Sequence, residues 1–467
     1  MRNPSRAVAA LSLVVGLGAA PAALRAQDRE QPPPLGTPKP FRVPPSRSFT
    51  LPNGLQVTLV PYGRIPKATV QLAIRTGAID EPADQVWVSK LAADLLVEGG
   101  SRSLGGSALA ARIAGMGGQL TADPGDDLVT FDADVLAERT PELVRILADL
   151  AQHPAFPASE FPRVSQARAR ALAVERQQPL TPAVVKFRQL VFGDHPYGRP
   201  YPAEGALERL TLEQATQFWR ANVGARRAHL YVSGRFDGPA TERAIRSAFA
   251  TWAAGPEPAS RPPALAGGRT LDVIDRPNAP QSTLIVGKPV PDPTSPDAIP
   301  LDVADGLLGG VFTSRITLNI REDKGYTYSP YSVVGSRVKA GWWTEIADVT
   351  TDVTGPSLTE IFKEIDRLRN EAPPADELRG VQNTLAGTYV IRNSNRGGII
   401  GALRFADLHG LGEGYVREYV PRMLSVSPAD VQRVARSYLE PEQMHIVVVG
   451  DRKVIDPQVA PFGRVTP

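Results

Sequence analysis

The chain repeats itself, and the repeat limits its possible folds more than any other feature. Thr211 and Gln214 stand in the positions of a reciprocal helix cap, and an apolar strand pattern, His229-Leu230-Tyr231-Val232, follows and stops at Gly234. Ser427 and Asp430 repeat the cap, while His445-Ile446-Val447-Val448-Val449 repeats the strand and stops at Gly450, 216 positions after Gly234. Upstream, Leu143, Ile146, Leu147 and Leu150 have the spacing of a helix with one buried stripe, and Leu358, Ile361, Phe362 and Ile365 have it again. Pro157-Ala158-Ser159-Glu160-Phe161 is echoed by Pro374-Ala375-Asp376-Glu377-Leu378, each opening a further helical segment. Matches at a nearly constant offset imply a duplicated unit.

Each unit begins with strand signals. Asn53-Gly54 favours a tight turn, and Val70, Leu72 and Ile74 alternate with Thr69, Gln71 and Ala73 as in a strand with one buried face. Strands first, helices next and a closing strand predict an α+β fold: two tandem homologous domains, each a mainly antiparallel sheet covered by helices on one face. Proline-rich stretches at 27–47 and 253–268 should be extended, because proline neither donates to a ladder nor continues a helix. They frame an N-terminal domain at 48–252 and a C-terminal domain at 269–467.

The first 26 residues have the order of a secretory signal: Arg2 and Arg6, an apolar run through Leu11 to Leu17, then small residues up to Ala26. The expectation is an exported, periplasmic protein, cleaved after Ala26, with no stable membrane span elsewhere. Retention of the segment as an anchor is the alternative. Without cysteine, an exported chain must rely on core packing, and 467 residues suffice for more than one core. Lys and Arg number 52 against 49 acidic residues and are scattered, which argues against a nucleic-acid partner.

Familiar catalytic patterns are missing. A helical zinc pair needs two ligands one turn apart, and His153, His195, His229, His409 and His445 are all distant from one another. His229 and His445 open matching strands and read as structural; His195 reads as a loop residue. Ser336-x-x-Lys339 lacks its companion motifs, and Gly287-Lys288 has no phosphate loop before it. What remains is Ser314 to Ser329. Its first part is helical in pattern, Gly325 can end the helix, and the aromatic residues beyond read as a strand. Within it, Arg321 is a permanent charged fork suited to a carbonyl or carboxylate, and a nearby tyrosine hydroxyl adds a donor; taken alone, the pair reads first as a surface arginine with a half-buried tyrosine.

From about Ser48 to Pro461 the chain resembles the pitrilysin/insulinase family of zinc peptidases, which includes the mitochondrial processing peptidase. The resemblance rests on Leu51-Pro52-Asn53-Gly54-Leu55, Gly77 with Glu81-Pro82, Glu98-Gly99-Gly100, Gly193-Asp194-His195-Pro196-Tyr197-Gly198, the Ser314-Arg315 to Tyr328 segment and Val447-Val448-Val449-Gly450-Asp451. Active members carry His-x-x-Glu-His just before the Glu-Gly-Gly landmark. Here that window reads Lys90-Leu91-Ala92-Ala93-Asp94, and the region of the distal glutamate ligand reads Arg168-Ala169-Arg170-Ala171-Leu172-Ala173. The resemblance therefore implies a chain with no metal ligand and no catalytic residue of its own.

By the same resemblance, Arg321 and Tyr328 match second-half positions that contact bound peptide, with Tyr326 the other candidate phenol. Some relatives divide the work between two chains. The implied protein is the non-metal subunit of a heterodimeric metalloendopeptidase, inactive alone, enclosing peptide substrates together with a homologous partner that carries the zinc. An inactive scaffold of the same fold is the alternative, and an autonomous peptidase with an unrecognised metal site a third reading.

Overall fold

Alternating apolar and polar residues give one strand two chemically different faces, and the fold buries both. The structure, a computed structural model, describes residues 42–465 except 259 and 413, so the expected signal segment and most of the first proline-rich stretch lie outside it. In the first half, β1 (Arg47–Thr50), β2 (Gln56–Pro61), β3 (Lys67–Ile74), β4 (Thr121–Pro124), β5 (Val129–Leu136) and β6 (Ala228–Gly234) form one sheet in the order β1-β2-β6-β3-β5-β4. In the second, β7 (Thr270–Asp275), β8 (Gln281–Val290), β9 (Tyr331–Arg337), β10 (Ala340–Thr350) and β11 (His445–Gly450) run β7-β11-β8-β10-β9. The two orders match strand for strand once β1 is set aside. Both sheets contain one parallel pair, β2 with β6 and β7 with β11, among antiparallel ones. The duplication read from the sequence is thus a duplication of topology, and both capping boxes form, Thr211 with Gln214 and Ser427 with Asp430.

The first half contributes helices α1 (Val88–Gly99), α2 (Gly106–Gly115), α3 (Thr140–Gln152), α4 (Phe161–Gln177), α5 (Leu180–Phe192), α6 (Leu212–Asn222) and α7 (Gly238–Ala248). The second contributes α8 (Ala298–Asp305), α9 (Thr354–Asn370), α10 (Ala375–Arg392), α11 (Arg396–His409), α12 (Gly414–Leu424), α13 (Pro428–Tyr438) and α14 (Arg452–Val459). Val70, Leu72 and Ile74 point into a core with Leu91 of α1, Leu147 of α3 and Phe218 of α6. Leu284, Val286 and Trp343 do the same with Ile361 of α9 and Val434 of α13.

The opposite sheet faces are covered by exchange. Ile285, Val447 and Val449 of the second sheet pack against Ala183, Phe187 and Val191 of α5, a first-half helix. Reciprocally, Ala73 and Tyr231 of the first sheet meet Ile400 of α11, a second-half helix. Because side chains alternate along a strand, these contacts lie opposite each half's own helices. Ionic contacts reinforce the junction. Asp126 accepts from Arg188 at 2.9 Å and from Arg337, and Asp127 accepts from Tyr197 and from the backbone N–H of Val338.

Candidate functional site

Two places carry the chemistry that the sequence singles out. The first is α1, which holds the Lys90 to Asp94 window. Its entry is tightly built: Trp87 takes a left-handed φ of 76°, unusual for a bulky residue. Buried Glu81 accepts hydrogen bonds from the Trp87 and Ser89 N–H groups at 2.8 and 3.0 Å and from the Ser89 hydroxyl, a favourable position for a carboxylate at a helix N-terminus. The Trp87 indole N–H donates to the Pro200 carbonyl at 2.9 Å. The helix ends at the Glu-Gly-Gly landmark for a steric reason: Gly100 has φ +73°, and a Cβ there would lie 2.2 Å from the Leu104 carbonyl oxygen.

On this helix Lys90 and Asp94 are one turn apart, the spacing that zinc histidines require, but their chemistry is reversed. Arg168 of α4 donates to Asp94 Oδ2 from Nε at 2.8 Å, with Nη2 against the same oxygen. Burial raises the Asp94 carboxyl, while the Arg168 hydrogen bonds oppose that rise. The Lys90 ammonium lies 4.0 Å from the centre of the Trp87 ring, and burial, then Arg168, lowers its pKa. Ala93, which the resemblance sets at the base position, is fully buried in the core. These residues do not fit a zinc ion: one carboxylate is spoken for by a guanidinium, and two cationic side chains would face a dication. Among the described residues, no group of three or more His, Asp or Glu side chains could hold a metal.

The second place is the segment around Arg321. Ile316 and Ile320 anchor it in the second core, Arg315 makes a two-pronged pair with Glu377 at 2.7 Å, and Asn319 donates to Glu360 and Glu364 at 2.8 Å. With its inward side fixed, the helix continues as a wide π-type turn over Thr317–Asp323, and Gly325 leaves it at φ +66°. Arg321 emerges between two exposed rings, 4.4 Å from the centre of Phe312 and 4.9 Å from that of Tyr328, with Glu322 beside it at 3.1 Å. Tyr328 is 78% exposed, whereas Tyr326 packs against the core. The strand expected after Gly325 is reduced to a single bridge from Thr327 to Val349, and the regular strand starts at Tyr331. Pro330 has no N–H to extend the ladder backwards.

The histidines are engaged in the framework. His229 touches Thr58 at 2.8 Å and Asp407 at 3.0 Å, and His445 touches Thr270 at 3.0 Å and the Ala266 carbonyl at 3.1 Å. His195 contacts the Arg261 carbonyl at 2.8 Å and accepts from the Tyr197 N–H at 3.2 Å, tying its loop to the connecting stretch. The partnership of Arg168 with Asp94 was not legible in the sequence, because no periodicity links residues on two helices so far apart.

A duplicated α+β body, with no metal-binding cluster among the described residues and with a half-buried Arg321 beside an exposed Tyr328, has the fold of a peptidase-type protein. Comparison with known proteins agrees. Residues 59–190 match the family described as Insulinase (Peptidase family M16), and residues 209–385 match the Peptidase M16 inactive domain. The chain belongs to the insulinase, or M16, family and lacks its zinc motif. An uncharacterized zinc protease of Streptomyces coelicolor is 24% identical over 84% of this chain and 87% of its own length, and one of Rickettsia bellii is 21% identical over 69% and 77%.

Solved structures show the same fold. A peptidase M16 inactive domain from Pseudomonas fluorescens superposes with TM-score 0.80 and 19% identity, over 87% of this chain and 98% of that one. A protease from Helicobacter pylori gives 0.81 and 18%, over 88% and 100%. A chain of Complex III2 from Candida albicans gives 0.77 and 15%, over 90% and 100%.

Proposed function

We propose that this chain is the non-metal subunit of an exported, heteromeric zinc metalloendopeptidase. The observation that carries the reading is the contrast between its two sites: a metal helix closed by the Asp94–Arg168 pair, and an Arg321 held outward between Phe312 and Tyr328. A homologous partner would hold the zinc, which would supply a Lewis acid and an activated water there. In this chain Arg321 supplies a fixed donor fork to the peptide carbonyl or a carboxylate, and the Tyr328 hydroxyl a second donor. Among the described residues strand β4 has an unpaired edge, and it packs beside α1, so an extended peptide can join the first sheet there through main-chain hydrogen bonds.

The likeness to a chain of Complex III2 favours a second reading, a scaffold of the same fold with no part in turnover. Mixing the purified chain with a zinc-bearing homologue separates the two. The subunit reading expects peptidase activity that neither chain has alone, and it expects Arg321→Ala to abolish turnover with assembly intact. A scaffold would assemble and leave the partner's activity unchanged in both forms.

A further inference from the structure

The second half contains carboxylates that no basic group answers. Asp302 and Asp305 on α8 and Glu345 on β10 are acted on by one another and by neutral donors alone among the described residues. Asp305 is spent within the fold, accepting from the Ser332 hydroxyl and from the Trp343 indole at 2.8 Å. Glu345 is sealed, 1% exposed. Asp302 differs, because it lines an open cleft of about 430 Å³, large enough for a small ligand.

The rest of that cleft is aromatic. Tyr389 and Tyr419 stack with ring centres 4.5 Å apart, Tyr415 leans on Tyr419 at 5.7 Å, and Phe405 leans on Tyr415 at 6.0 Å. The Tyr419 hydroxyl donates to Asp302 Oδ2 at 2.9 Å and so fixes the carboxylate against the aromatic wall. Exposed Arg392 also lines the cleft. Ring faces and a carboxylate both attract positive charge and both disfavour an anion. One carboxylate among rings is too few oxygen ligands for a hard metal ion, which takes six or more. An organic cation satisfies both features at once, its charge against Asp302 and its hydrocarbon or planar part against the rings.

We propose that the cleft between α8, α10, α11 and α12 is a binding site for an organic cation of the guanidinium or alkylammonium class, held by Asp302 and the surrounding tyrosines. The proposal stands whether or not the chain serves a zinc-bearing partner. The cation reaches the cleft either as a free small molecule or as a side chain of a bound peptide.

The test is calorimetric titration of the purified chain with acetyl-arginine amide, with choline, with the neutral isostere acetyl-citrulline amide and with a pentapeptide carrying one central arginine. Saturable binding of a cation, at least about tenfold tighter than citrulline, is expected. Asp302→Asn, which keeps an acceptor for Tyr419, should weaken it about tenfold or more. Tyr415→Leu should weaken it as well and serves if the first variant folds poorly. A pentapeptide that binds better than the amide identifies a peptide source, and equal binding of the two identifies a free cation. Citrulline binding as well as arginine, Asp302→Asn without effect, or no saturable binding by any of the four would overturn the proposal.

Discussion

Arg168 and Asp94 pair across α4 and α1, the guanidinium Nε 2.8 Å from the carboxylate Oδ2, at the position that the family resemblance assigns to a second helical histidine. The pair ties α4 to α1, with Lys90 one turn away over the Trp87 ring. Charge that a zinc ion would bring to this pocket is already present as side chains.

Removing one member leaves the other partly buried without its partner. Asp94→Asn and Arg168→Ala are each expected to cost about 1–3 kcal/mol, and the double variant less than the sum of the two. Thermal unfolding of the four proteins in a double-mutant cycle checks this. Additive costs would show that the contact is incidental.

Gly100→Ala is expected to destabilise by about 2 kcal/mol or more, because the left-handed φ penalises any side chain and the new methyl would collide with the Leu104 carbonyl. Gly380→Ala, on α10 with open space around its Cβ position, is the control and should be neutral or stabilising. The comparison of melting temperatures needs no assumption about function.

The junction between the halves should weaken in acid. Burial alone would raise the Asp126 carboxyl, but Arg337 and Arg188 overcome it and hold the group at about 2. A depressed folded pKa contributes stability that is fully present above the ordinary value near 3.8 and is lost as pH falls through about 2. Asp126→Asn should therefore lower the melting temperature at pH 7, by about 2 kcal/mol in stability, and flatten its dependence on pH between about 4 and 2.

The carboxylates of α8 act in the opposite direction. Burial raises Asp302 to about 7 and Asp305 to about 6, so the folded chain holds protons that the unfolded chain has released. Their contribution favours the fold most below pH 4 and declines as pH rises through 6 to 7. At pH 8, Asp305→Asn should gain about 1–2 kcal/mol where Ser332 and Trp343 can still donate to the amide oxygen. A loss of stability at pH 8, unaccompanied by any change in pH dependence, would contradict this.

The α+β class, the duplication and the caps were legible because they are local: Thr211 with Gln214 and Ser427 with Asp430 are close in sequence, and Val70, Leu72 and Ile74 follow a period of two. The exchange of α5 and α11 was not. The apolar residues Phe187 and Val191, or Ile400, announce that a helix is buried without saying against which sheet. At the candidate sites, the missing ligands at Lys90 and Asp94 and the missing base at Ala93 were visible as letters, whereas Arg168 gained its meaning only from packing. Arg321 and Tyr328 were adjacent enough to be noticed. Phe312, which completes the clamp on Arg321, was overlooked because a single phenylalanine nine residues upstream carries no pattern.

The zinc content of the isolated, purified chain, measured beside its peptidase activity with and without a chelator, tests the central claim most directly. The account predicts far less than one zinc per chain and no chelator-sensitive hydrolysis until a zinc-bearing homologue is added. One tightly held zinc per chain, with hydrolysis that the chelator abolishes, would contradict it.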